Sequence, residues 1–481
     1  MMNVKKLAAY ALGPLGSAAA GAVSLPLASW YFSADDIGRV ILLQTAASLV
    51  LTVTALGLDQ AYIREYHAAA DRNALLKTTA LLPMLLAAGG AAAFGVFAPE
   101  WLSARIFGTA SAELGVFCVL FAFALAVSRF LSLVLRMQER AYAFSLSQFL
   151  PKLLILVLVA GCMLADVSNG TFHLLAVYVA AQWLALAVLA VQTRHDAAAA
   201  LRAPADGALL KTSLQYGLPL MVGGLAYWGL TSVDRIMLRQ YGSFAELGIY
   251  SMAAGFGAAA LIFQSIFSTV WAPTVFRLVH ENHGCERIAR IVVPMAEAVA
   301  AVWCLAGLAS PLIPLLLPEH YAPVQFVFLS SILFPLLYTL TEVTGIGINV
   351  SRKTQAATWV SLAALAANVL LCRLLVPAYG ARGAAAATAV SFWLYFVLKT
   401  ELSSRLWLNM PRLPLYGISL FCLCSGAVYT LFGSRAAYPL FAACWLAALL
   451  LMVIRRRKEL HALFEKLKGR LNALSGSADA D

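Results

Sequence analysis

Charge is what this chain has least of. Asp, Glu, Lys and Arg make up 12% of its 481 residues, against about 25% in an ordinary soluble protein. With 62% apolar residues and a mean hydropathy of +0.82, a water-soluble core could not hide so much apolar surface, so lipid must cover much of it. Long polar segments are also missing. No loop on the side opposite the N-terminus exceeds about fifteen residues, which leaves no place for a large loop carrying catalytic residues.

Metal-ligand spacing is absent too. Cys118, Cys162, Cys304, Cys372, Cys422, Cys424 and Cys444 lie inside apolar runs, and Cys285 sits in a short polar loop. None is grouped with histidines as a zinc site requires, so they read as small side chains between helices. No nucleophile–base constellation and no phosphate-binding glycine loop is evident. The sequence therefore predicts no enzyme and no cofactor. The net charge of +11 does not point to nucleic acid, because the basic residues are spread over short loops and a C-terminal run.

What is present is a series of apolar runs, each near the ~20 residues that cross a bilayer as a helix. Fourteen can be placed, at 7–32, 39–58, 75–97, 113–135, 143–164, 171–192, 213–237, 246–272, 288–316, 323–349, 355–378, 381–402, 414–433 and 437–454. The expected fold class is an all-α polytopic membrane protein. Lys5 and Lys6 precede the first run, which is too long for a signal peptide. Most of the basic residues, from Lys5 through Arg64, Arg140, Lys211, Arg352 and Arg412 to the tail, fall on the side that holds the N-terminus. Arg39, Arg105, Arg239, Arg382 and Arg435 fall on the other. By the positive-inside rule both termini are cytoplasmic, and the expected location is a bacterial inner membrane. In the tail, Leu460, Leu463, Phe464, Leu467, Leu471 and Leu474 share one helical face opposite basic residues, the pattern of an interfacial anchor.

The two halves resemble each other at an offset near 210. Tyr10 to Pro14 is answered by Tyr216 to Pro219, and Asp36-Ile37-Gly38 by Glu246-Leu247-Gly248. Gln138-Glu139-Arg140 matches Val350-Ser351-Arg352, and Gln182-Trp183-Leu184 matches Phe392-Trp393-Leu394. Each half starts inside and has an even number of spans, so the repeat is parallel. The expected organisation is a six-helix lobe (1–192), a cytoplasmic linker (193–212), a second lobe (213–402), two further spans (403–454) and a basic tail (455–481). Two lobes facing across a cleft suit a transporter working by alternating access.

Ser232-Val233-Asp234-Arg235-Ile236-Met237-Leu238, followed by Glu246 to Ser251, resembles the signature of the polysaccharide transporter family. The segment Leu56-Gly57-Leu58-Asp59, running on to Tyr66, is similar to the close of the second span in that family. The resemblance covers roughly residues 7–402. It implies the superfamily of multidrug exporters, lipid II flippases and O-antigen flippases. The substrate it implies is an undecaprenyl-diphosphate-linked oligosaccharide used for lipopolysaccharide, capsule or glycoprotein glycans, with glycan-assembly proteins as candidate partners.

Charges at bilayer depth are costly and usually face a cavity or a partner. Four cations, Lys152, Arg129, Arg235 and Arg373, are candidates to hold a diphosphate in the cleft. Lys152 follows Pro151, which frees a backbone carbonyl; its alternative is a structural pair with Glu297 or Glu342. Arg129, Arg235 and Arg373 lie nearer span ends, where snorkelling is the alternative. Asp234, Glu297, Glu342 and Asp59 are candidates for proton or sodium coupling, or for counter-ions. Asp234 is expected to find a cation on a neighbouring helix, since Arg235 beside it points elsewhere. A drug/cation antiporter would favour an acidic cleft, whereas this one has a slight excess of basic residues. Lipid II flippases are expected to carry arginines in the first span, and 7–32 has no charge. A membrane enzyme of glycan assembly is the remaining alternative.

Overall fold

The computed structural model describes residues 4–257, 284–351 and 353–457, together with Ala260, Gln264, Phe267, Trp271 and Val275. Most of the second half of the expected eighth span, Arg277 and the expected tail helix beyond Arg457 lie outside the described residues.

Helices account for nearly all of the described chain, and no strand occurs among the described residues. In order they are α1 (Val4–Ser29), α2 (Ala34–Ala55), α3 (Leu58–Glu65), α4 (Arg72–Ala92), α5 (Pro99–Phe107), α6 (Ala112–Met137), α7 (Ala141–Leu164), α8 (Thr171–Arg202), α9 (Gly207–Tyr241) and α10 (Phe244–Phe256). They continue with α11 (Gly284–Ala309), α12 (Val324–Ser331), α13 (Leu333–Val350), α14 (Thr354–Leu406), α15 (Arg412–Phe432) and α16 (Tyr438–Arg457).

Polar residues mark where helices begin. Ser33 and Asp36 form a reciprocal cap on α2, and the Asp71, Ser111, Asp206 and Ser243 side chains accept backbone N–H groups at the starts of α4, α6, α9 and α10. Such caps satisfy amides that the first turn leaves without partners. Eleven described stretches are long and apolar enough to span a bilayer. One of them, α14, bends at Gly380 (φ +52°) into two arms that match the eleventh and twelfth expected spans. The long helix α9, carrying Lys211, Asp234, Arg235 and Arg239, and the short α10 stand for the seventh and eighth. Apolar side chains such as Leu164 (90% exposed), Leu413 (85%) and Phe97 (84%) look outward. Only lipid makes such a surface tolerable.

Element limits depart from expectation in places with clear causes. The 193–212 linker shrinks to 203–206, because Ala197 to Ala200 are strong helix formers that carry α8 to Arg202 before Pro204 stops it. The expected tenth span is interrupted at Ile332 between α12 and α13, just ahead of Pro335, whose missing N–H leaves no donor for the Ser331 carbonyl. Two short helices, α3 and α5, occupy loops with no expected structure.

Helix pairs pack similarly in the two halves. α1 lies on α7, where Gly13 and Gly16 face Ser145 and Phe149, and α9 lies on the first arm of α14 through Gly229 against Leu365. α6 meets α8 by stacking Phe123 on Trp183, and α13 meets the second arm of α14 by stacking Tyr338 on Tyr395. Between the halves, α2 crosses α10 at the end holding the 30–33 turn. A methyl group on Gly38 would stand 2.1 Å from the Phe244 carbonyl oxygen, and one on Gly248 would stand 2.2 Å from that of Ala34. At the opposite end Gly57 (φ +69°) and Gly217 make a similar backbone contact. Beyond α14, the α11, α15 and α16 helices are joined by Trp303, Trp445 and Tyr429, all fully buried.

Candidate functional site

Two polar cavities lie inside the bundle and share a wall. The larger, about 470 Å³, is lined from both halves: Ser17 on α1, Gln148 and Lys152 on α7, Asp234 and Arg235 on α9, Tyr250 on α10 and Thr388 on the second arm of α14. The smaller, about 370 Å³, belongs to the first half, with Gln44 on α2, Ser128 and Arg129 on α6, Ser147 and Lys152 on α7, and Tyr178 and Gln182 on α8. Gln148 and Lys152 line both. Their spacing of four puts them on one face of α7, which makes that face the partition.

Lys152 is half-buried and, among the described residues, pairs with no carboxylate. The expected alternative, a pair with Glu297, does not form. Glu297 instead binds Arg456 (Nε–Oε2 2.6 Å) and Arg455 (3.5 Å) at the start of the tail. It is thereby a clasp between α11 and α16. Glu342 lies within electrostatic reach of Tyr227 and Tyr338.

Arg235 lines the larger cavity and repels Lys152 through space. Its Nε is buried with no hydrogen-bond partner among the described residues. Asp234 is almost fully buried, 1% exposed, and the cation expected for it on a neighbouring helix is not found among the described residues. The Tyr250 hydroxyl donates to its Oδ2, Thr388 Oγ1 donates to the same oxygen at 3.1 Å, and the Arg235 amide donates to Oδ1 at 2.8 Å. Hydroxyls on two other helices thus stand where a counter-ion was expected, because they can solvate a carboxylate without burying a second charge.

Arg129 is compensated. Its Nη2 and Nε reach Asp59 Oδ2 at 2.6 and 3.1 Å, and Gln60 donates to the same oxygen at 3.0 Å. Asp59 sits at the first turn of α3, where the helix dipole favours a carboxylate. Arg373, expected among the cleft cations, is exposed on the outside of α14 and lines neither cavity. A long side chain near a span end can reach the interface there.

The structure thus gathers Lys152, Arg235 and Asp234 around one cavity, sets Arg129 with Asp59 at the edge of the other, and sends Glu297, Glu342 and Arg373 elsewhere. Sequence reasoning overlooked Tyr250, Thr388 and the three glutamines. The glutamines had a usable signal, since an amide inside an apolar run also needs a polar partner.

Residues 4–279, more than half of the chain, match the family described as polysaccharide biosynthesis protein. No curated protein sequence matches significantly. Among solved structures, the lipid II flippase MurJ in an inward closed conformation superposes with a TM-score of 0.67 at 12% identity, covering 94% of this chain and 99% of that one. An inward-facing multidrug resistance transporter of the MATE family, in the MOP superfamily, gives 0.54 at 13% identity, covering 84% and 96%. At these identities the likeness is one of fold, and it is a fold that transporters use.

Proposed function

Because the chain belongs to the polysaccharide biosynthesis protein family, we propose that it is a flippase for polyprenyl-diphosphate-linked oligosaccharides in a bacterial inner membrane, with both termini cytoplasmic. The observation that carries this reading is a pair of cations, Lys152 and Arg235, on one interior cavity, neither in a close ion pair with a carboxylate among the described residues. A diphosphate is the complementary group, and the polyprenyl chain stays in lipid while the glycan occupies the polar interior. The carrier alternates between two six-helix lobes, 1–192 and 213–402. Support comes from the repeated packing of α1 on α7 and α9 on α14, and from the reciprocal Gly38 and Gly248 contacts.

Asp234 is the coupling group of this scheme. Its carboxylate is buried among hydroxyls at the same cavity, where binding of a proton or sodium ion changes the charge that the substrate meets.

Lys152→Ala tests the reading. A charge-assisted contact contributes about 1.5–3 kcal/mol, so the variant should weaken diphosphate binding roughly 10- to 100-fold. It should abolish surface glycan and accumulate lipid-linked precursor while protein remains in the membrane. Normal glycan display would remove Lys152 from the mechanism. A drug/cation carrier of the same fold would have to seat a cation in a cavity where Lys152 and Arg235 outnumber the single carboxylate, Asp234.

A further inference from the structure

The proposed flippase reading gives the larger cavity a task but leaves the smaller one without any. That smaller cavity, about 370 Å³, falls within the size range of ligand pockets. Its lining is unusual for the inside of a membrane helix bundle. Gln44 on α2, Gln148 on α7 and Gln182 on α8 come from three helices and converge on one space. Gln182 gives one amide hydrogen to Ser128 (3.2 Å), whereas Gln44 and Gln148 make no hydrogen bond among the described residues. Pro151 lies on the same wall and cannot donate to the carbonyl of Ser147, which also lines the cavity.

The charge balance matters as much. Arg129, the only cation besides Lys152 among the lining residues, is already neutralised by Asp59. The cavity beyond Lys152 is therefore rich in neutral donors and acceptors and poor in free charge. Gln44 and Gln148 offer amides with no protein partner among the described residues, and a ligand with several hydroxyls can replace the water that such amides otherwise meet. Tyr178 on α8 also lines this cavity.

We propose that this cavity is a sugar subsite. With the diphosphate held at Lys152 and Arg235, the sugar bonded directly to it passes the Gln148–Lys152 partition and is read by Gln44, Gln148 and Gln182. The subsite rests on the flippase reading and makes it more specific: recognition acts on the linkage-proximal sugar, and the outer sugars remain in the larger, open space.

The test measures binding of two lipids to the purified full chain in nanodiscs, namely undecaprenyl diphosphate and undecaprenyl diphosphate carrying one glucose. Wild type should prefer the glucose-bearing lipid by roughly tenfold, the equivalent of two net neutral hydrogen bonds. Gln44 lines only the smaller cavity. Gln44→Leu should therefore reduce that preference several-fold and leave affinity for undecaprenyl diphosphate unchanged. Equal wild-type affinities for the two lipids would overturn the subsite while leaving the flippase reading intact. So would a preference that Gln44→Leu does not alter. Failure of wild type to bind either lipid would overturn the flippase reading, and the subsite with it. The wild-type comparison decides even if the variant does not fold.

Discussion

Two residues adjacent in sequence, Asp234 and Arg235, meet different fates at the same cavity. The carboxylate is solvated by Tyr250, Thr388 and a backbone amide, while the guanidinium keeps a buried Nε without a partner among the described residues. The solvation of the carboxylate predicts two separable consequences of substitution. Tyr250→Phe removes a donor to a buried carboxylate and should cost about 1.5–3 kcal/mol, visible as a lower melting temperature of the purified protein. Asp234→Asn keeps the shape but removes the charge, and transport in proteoliposomes should then no longer respond to an imposed proton or sodium gradient. A full gradient response in Asp234→Asn would reject its coupling role. Glu297 belongs to a different class. Its bonds to Arg455 and Arg456 tie α11 to the end of α16, so Glu297→Gln should lower thermal stability by about 2 kcal/mol and leave the gradient response intact.

At the scale of elements, the informative features are places where helices approach without side chains between them. Gly38 on α2 and Gly248 on α10 each abut a backbone carbonyl of the other helix. The Phe244 ring beside them lies under both Arg39 (4.8 Å) and Arg239 (4.7 Å). Gly38→Leu cannot be accommodated by a side-chain shift, because the obstacle is backbone. It should destabilise this closed contact by about 1–3 kcal/mol. Spin labels at Asp35 and Ala245 would then report a longer distance than in wild type; an unchanged distance would mean that this contact does not hold the two helices together. The glycines of this contact were legible as part of a repeat, Asp36-Ile37-Gly38 with Glu246-Leu247-Gly248. Nothing in the sequence indicated that the two copies of the motif touch each other.

For the molecule as a whole, contacts between the halves occur at both ends of the cavities. Gly38 meets Phe244 at one end, and Gly57 meets Gly217 at the other. Between them Trp228 Nε1 donates to Ser48 (2.9 Å) across the same seam. In the proposed two-lobe cycle, opening to either side requires one end contact to separate while the other holds. Gly217→Val should therefore impair closure at the Gly57 end alone, since its side chain would meet the Leu56 carbonyl at under 3 Å. Labelling of cysteines introduced into the larger cavity should become faster from that side only. Equal acceleration from both sides would mean that the two ends are not separate gates.

Most of the architecture was readable from composition and period, because a bilayer enforces a simple rule. A backbone in lipid must be helical, and its length is set by membrane thickness. Caps and prolines then set most ends, as Ser33, Asp206 and Pro204 do here. The resemblance at Ser232 to Ser251 likewise pointed to the family. The membership of the site was decided only by tertiary structure. Lys152, Arg129, Arg235 and Arg373 looked alike as cations in apolar runs, yet one faces two cavities, one is neutralised by Asp59, one shares a cavity with Lys152, and one points outward. The physical reason is that the cost of a charge depends on which neighbours solvate it. Those neighbours, such as Thr388 for Asp234 and Asp59 for Arg129, lie 154 and 70 positions away in the chain.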